Sequence, residues 1–185
     1  MSNEIVTGIG PKNTTQKLWK VTSIGGWEGD HNLAVDISKR YIVFIWIYKE
    51  ALVDTDPCTI SFGIDGNVLN NEIGSAVSSP YFVLSENWVG ETILNGYIGE
   101  WLLCVGNIFP STTENNPITY SGIYDLSGER IVEGIDYRWS ADPSLWDGER
   151  IIQDNESNEV LIIAKPAIYQ FDENKGPFIE NILGI

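Results

Sequence analysis

Residues 41–48 read YIVFIWIY, and every one of them is β-branched or aromatic. Such residues fit the pleated, half-buried surface of a strand. The run shows no alternation of apolar with polar, so it reads as a central strand covered on both faces. At eight residues it is far too short to span a bilayer as a helix.

The neighbouring segments repeat the theme. GEWLLCVGNIF (99–109) is nearly continuous in apolar residues and reads as a second buried strand. TISFGI (59–64) runs into DGN (65–67), a strong turn signal. PYFVLSENWV (80–89) reads as a further strand, and NEVLIIAKPAIYQF (158–171) as one long strand or two broken near Pro166. Gly and Asn punctuate the chain at IGGWEGD, NGYIG, GNIFP, LSGER and WDGER, and no window carries a helical apolar stripe. Several short strands with such turns predict an all-β fold, an antiparallel β-sandwich. The segment TYSGIYDLSGERI (119–131) fits this plan: SGIY runs as a strand, DLSG turns, and ERIVEGIDYRW runs back. Asp125 can bond the backbone two residues on, and Gly128 can take the positive φ of the turn. The other reading of this segment is a ligand loop.

Residues 1–20 lack a sustained period and read as an N-terminal arm for attachment or oligomerisation, or as a first strand with loose ends. Residues 21–185 form the sandwich domain. The 185 residues suffice for a core without disulfide staples, and 43% of them are hydrophobic. Cys58 and Cys104 both sit in apolar surroundings, PCTISF and LLCVG, and read as buried free thiols, with a disulfide as the alternative. Asp and Glu number 26 against 11 Lys and Arg, a formal charge of -15. That excludes phosphate-led nucleic-acid binding and attraction to an anionic membrane. MSNEIVTGIG has neither the basic region nor the apolar run of a signal peptide, so synthesis in a cytoplasm is expected.

Catalytic chemistry finds little purchase. His31, the single histidine, sits in the polar stretch EGDHNL and reads as solvated rather than as a base. One His and two separated Cys give no zinc spacing. GGWEGD lacks the Lys of a phosphate loop. With 26 acids some carboxylate pair always looks suitable for glycoside hydrolysis, which empties that signal. Arg138, Arg150, Tyr124 and Tyr137 could serve a uronate lyase, but no spacing links them. No cofactor is expected, with one alternative: DTD (54–56), DGN (65–67) and DNESNE (154–159) cluster oxygens that suit calcium, or are simply solvated.

The tryptophans carry the binding hypothesis, because sugar rings stack their apolar faces on aromatic rings. Trp46 and Trp101 lie inside apolar strands and read as core. Trp27, Trp88, Trp139 and Trp146 lie among polar and small residues and read as partly exposed. DYRWSADPSLWDGER (136–150) interleaves Trp139 and Trp146 with Asp142 and Arg150. These four, with Trp27, are the candidate ligand-binding rim; the alternative is that the rings cap the ends of the sandwich.

Taken together, GGWEGDHNLAVDISKRYIVFIWIYKE (25–50), GEWLLCVGNIFP (99–110), SGIYDLSGERI (121–131), DYRW (136–139), DGER (147–150) and KPAIYQFDENKGPFIENIL (165–183) resemble the jelly-roll β-sandwich modules of phage tail-fibre and other virion proteins. Those modules are similar in turn to carbohydrate-binding modules. The resemblance covers most of residues 20–185. It implies a jelly-roll fold and a virion setting, with other virion proteins and further copies of the chain as partners. It transfers no catalytic site. The expected function is a non-enzymatic tail-fibre-like or head-fibre-like component that binds surface glycans of a host. The alternatives are a purely structural or decorating virion protein and, from another class, a polysaccharide-active enzyme.

Overall fold

The computed structural model describes residues 2–22, 27–28, 35–50, 59–65, 67–78, 80–84, 94–115, 119–140, 148–154 and 160–171. The strands in chain order are β1 (Ser2–Ile9), β2 (Thr15–Thr22), β3 (Trp27–Glu28), β4 (Tyr41–Lys49), β5 (Thr59–Asp65), β6 (Asn67–Asn70) and β7 (Ala76–Ser78). They continue with β8 (Tyr81–Leu84), β9 (Trp101–Phe109), β10 (Gly122–Tyr124), β11 (Arg130–Glu133), β12 (Tyr137–Trp139), β13 (Gly148–Asp154) and β14 (Val160–Gln170). The one helical element among the described residues is a short 3-10 turn, Leu94–Tyr97. The fold is an all-β sandwich. Its large sheet runs β1-β2-β14-β4-β9-β12-β6-β7, with β10 and β11 branching from β9, and its small sheet runs β3-β13-β5-β8.

β4 occupies the centre of the large sheet, between β14 and β9. Period-two alternation sends its residues to two different cores. Val43, Ile45 and Ile47 join Leu102, Cys104 and Ile108 of β9, Phe62 and Ile64 of β5, and Phe82 and Val83 of β8 between the sheets. Ile42 and Trp46 join Leu103, Val105, Tyr124 and Ala164 on the opposite face. This double burial is why residues 41–48 carry no polar alternation.

Three expectations are corrected. Residues 1–20 are not an arm apart from the sandwich: β1 and β2 form a hairpin, and β2 pairs with β14 from Thr22↔Val160 to Trp19↔Ile163. The boundary at residue 20 therefore falls inside a strand. The weak period has a physical cause, because Leu18 and Trp19 serve opposite cores and β1 is an edge strand. Secondly, the sheet is mixed rather than antiparallel throughout, since β12 runs parallel to β9. Thirdly, ERIVEGIDYRW does not run back as one strand. β11 ends at Glu133, and β12 leaves to join β9 and β6. Gly134 sits at the break, where a Cβ would lie 2.5 Å from the Phe82 carbonyl oxygen and 2.8 Å from the Ser121 carbonyl carbon.

Other details follow the sequence closely. β14 is one strand with a register shift between Ala164 and Ala167, where Lys165 takes φ 48° beside Pro166. DGN marks a change of sheet, with β5 in the small sheet and β6 in the large one. Cys104 is a buried free thiol whose pKa burial pushes up. Cys58 lies outside the described residues. No helix among the described residues is long and apolar enough to cross a membrane.

Candidate functional site

The rim foreseen at 136–150 does not assemble around Trp139. That ring is 1% exposed and packs edge-to-face on Tyr41, with centroids 5.7 Å apart. Its polar neighbours misled, because in a strand every second residue turns inward: Tyr137 and Trp139 are buried and Arg138 lies between them. Trp139 is therefore core, not a ligand platform. Trp27 and Arg150 have described backbones in the small sheet, where Arg150 faces Glu28 and Ile151 faces Trp27. Their side chains lie outside the described residues, as do Trp146, Asp142, Trp88 and His31.

The segment 119–131 is a turn joining two strands. Asp125 Oδ1 accepts from the Ser127 N–H (2.8 Å), the Ser127 hydroxyl (2.7 Å) and the Glu129 N–H (3.0 Å), and Gly128 takes φ 88°. Desolvation raises the Asp125 pKa somewhat, but the bonds from Ser127, Glu129 and Gly128 outweigh it and hold the carboxyl below its ordinary value.

Two arrangements stand out beyond this turn. The first is a buried polar relay where the edge of β9 forks. β10 pairs with Leu103–Val105 and β12 with Ile108–Phe109, leaving Asn107 at the branch. Asn107 is fully buried. Its N–H donates to Ser121 Oγ (2.9 Å), and its Nδ2 donates to Asp136 Oδ2 (2.9 Å). Asp136, 4% exposed, also accepts from the Thr119 hydroxyl (3.1 Å), the Tyr120 N–H (3.0 Å) and the Ser121 N–H (2.7 Å). Arg40 Nε donates to Asn107 Oδ1 (2.7 Å). The Arg40 guanidinium also lies over the rings of Phe109, Tyr120 and Phe171 at 4.8, 4.9 and 4.5 Å. Each acidic oxygen is engaged, so the relay holds the fork together and has no free group to offer a substrate. A signal for it was in view, since an Asn inside the apolar run LLCVGNIF needs a buried partner.

The second arrangement is a cleft of about 660 Å³ on the face of the large sheet away from the small one. Leu18, Tyr48, Trp101 and Ile162 come from that face of the sheet, β1 with its turn supplies Val6 to Pro11 and Asn13, and Leu126 comes from the β10–β11 turn. The Tyr48 and Trp101 rings sit 5.2 Å apart, tilted by 47°. Lys20 Nζ and Glu50 Oε2 form an ion pair at 3.1 Å. Apart from the Tyr48 phenol, these two are the ionisable side chains lining the cleft, and they neutralise each other. The volume and the mainly apolar lining with a few polar groups match a small-molecule site. Trp101 is core as the sequence suggests, 8% exposed, with an edge on the cleft; sequence reasoning passed over Lys20, Tyr48 and Glu50, which only the fold brings together.

A buried phenol and a half-buried one set an alkaline limit. Burial pushes Tyr137, whose hydroxyl donates to the Tyr81 carbonyl (2.9 Å), from 10.0 up to about 12. Burial does the same to Tyr169, against the opposing charge of Arg40. A phenol raised only in the folded state contributes stability that is intact below the unfolded value and lost as pH climbs to the folded one. The melting temperature should therefore fall between pH 10 and about pH 12, and Tyr137→Phe should make that decline shallower. A pH-independent melt across this interval would refute the burial of these hydroxyls.

No group of three or more His, Cys, Asp or Glu side chains that could hold a metal ion forms among the described residues. Of the oxygen clusters considered for calcium, 54–56 and 155–159 lie outside those residues. No family model matches the chain, and neither a curated protein nor a solved structure matches it.

Proposed function

We propose that this chain is a non-enzymatic binding module and that the cleft under the β1–β2 hairpin takes a sugar of a surface glycan. One observation carries the reading: aromatic side chains on the floor and a neutralised Lys20–Glu50 pair on the wall share one concave site. A sugar offers the matching halves, an apolar face for Tyr48 and Trp101 and hydroxyls for Lys20, Glu50 and Asn13. An ion pair already satisfied donates and accepts bonds without being poised for proton transfer, which favours binding over hydrolysis or elimination. The resemblance to modules of phage tail-fibre and other virion proteins supports a virion as the setting.

The test is retention on an array of bacterial surface glycans. The wild-type chain should bind, and Lys20→Ala and Glu50→Gln should each lower the signal about tenfold or more. Both variants should melt close to wild type, since a pair 30% and 46% exposed is worth about 0–1 kcal/mol. A wild-type chain that retains no glycan, or variants that bind as well as wild type, would overturn the reading. A second reading, an assembly or decorating protein of a virion, is favoured by the exposed Ile5 and Ile9 of β1.

A further inference from the structure

The outermost strand of the large sheet presents an unusual edge. The Gly10 N–H donates to the Thr14 carbonyl (2.9 Å) and closes the β1–β2 hairpin. Bonded and non-bonded pairs alternate along an antiparallel ladder. Gly8, Val6 and Glu4 therefore spend their backbone groups on β2, while Ile5, Thr7 and Ile9 point theirs outward. No strand among the described residues pairs with that outer edge. Natural sheets protect open edges with bulges, prolines or lysines. β1 has an unbroken register and the sequence SNEIVTGI, with none of these. It also exposes Ile5 by 62% and Ile9 by 56%.

We propose that β1 pairs edge to edge with β1 of a second copy of this chain, antiparallel, about a two-fold axis through Thr7. Three observations select a second copy as the occupant. A two-fold axis normal to the sheet keeps each residue on its own face, so odd residues meet odd residues; centring the axis on Thr7 sets Ile5 against Ile9 of the second copy, twice by symmetry. Both exposed isoleucines are covered, and about six backbone hydrogen bonds form. The same register brings Glu4 beside the turn of the second copy, where Lys12 lies, a diagonal that long side chains can span. Finally, the hairpin departs from the acidity of the chain: residues 2–22 hold Lys12, Lys17 and Lys20 against the single acid Glu4, in a molecule of net charge -15. Two such molecules repel least at this element.

The axis keeps both copies facing the same way, so the two clefts open on one side of a continuous sheet. If the cleft holds a glycan, as proposed above, pairing converts a weak site into a bivalent one, and avidity can exceed single-site affinity by roughly 10²–10⁴. The pairing itself does not depend on what the cleft holds.

Sedimentation of the full chain at micromolar concentration tests it. The wild type should run as a dimer. Thr7→Pro should run as a monomer, because it removes an outward N–H and an edge strand tolerates proline. Should that variant misfold, Thr7→Cys decides. Opposed Cα atoms of a bonded antiparallel pair lie about 5.5 Å apart, within disulfide reach. Thr7→Cys should therefore oxidise to a covalent dimer many times faster than Ile73→Cys, whose exposed site lies in the β6–β7 turn. A monomeric wild type, a Thr7→Pro dimer, or equal cross-linking of the two cysteine variants would overturn the proposal, whatever the glycan array shows.

Discussion

Asp136→Ala should lower the unfolding free energy by roughly 3–5 kcal/mol, as read from denaturant melts. The carboxylate is 4% exposed and accepts from Asn107 Nδ2, the Thr119 hydroxyl and the backbone N–H groups of Tyr120 and Ser121. Truncation strands these donors in a buried place, and each stranded group costs about 1–3 kcal/mol. Some will find water, which keeps the sum below the simple total. Asp136→Asn should cost less than the alanine variant but remain clearly destabilised. Its carbonyl can still face the loop donors, while its NH₂ then meets the NH₂ of Asn107. Turning Asn107 over would relieve that clash at the expense of Arg40, whose Nε uses Asn107 Oδ1. A loss below about 1 kcal/mol in the alanine variant would mean that the relay does not hold the fork of β9.

Leu103→Ala should cost on the order of 2–5 kcal/mol, as buried leucine truncations do. Leu103 is fully buried, sits opposite Trp46 in the β4–β9 ladder, and shares its cluster with Trp101, Val105 and Tyr124. Large rings held by sheet backbone collapse poorly into a cavity, so the upper part of the range is expected. A native domain has only about 5–15 kcal/mol in total. The variant should therefore melt well below wild type, and an unchanged two-state melt would show that the face carrying Trp46 is no core at all.

The parts of this fold that were legible in the sequence are those whose determinants are local. β4 and β9 announced themselves because both faces are buried. The turn at 125–128 was legible because an Asp and a Gly three residues on suffice to define it. Pro166 located the bulge in β14. What escaped depends on distant partners. Nothing local says that β12 abandons β11 at Gly134, because the obstacle there is the Phe82 carbonyl, far away in the chain. Trp139 looked exposed from its polar neighbours, whereas the three-residue strand that carries it alternates inward and outward. The hairpin 2–22 looked patternless because its apolar residues divide between two cores and an open edge. The cleft was hidden most completely: its floor and wall draw on Leu18, Lys20, Tyr48, Glu50, Trp101 and Ile162, which no spacing rule connects.

The place of β14 has a consequence for how the molecule is made. The last strand described lies between the second strand and the fourth, so the Thr22↔Val160 pair closes only once the chain has grown as far as β14. A ribosome adding about 5–20 residues per second needs roughly 7–28 s to travel from β2 to β14. Throughout that interval the first hairpin has no sheet to join, and β4, a strand buried on both faces, keeps one edge open on a nascent chain. Locally paired elements can form early, but the ladder that unites β2 with β14 carries a long loop-closure entropy and must come late. The vulnerable species is therefore the nascent chain that still lacks β14, when both β4 and the hairpin offer unpaired edges to neighbouring chains.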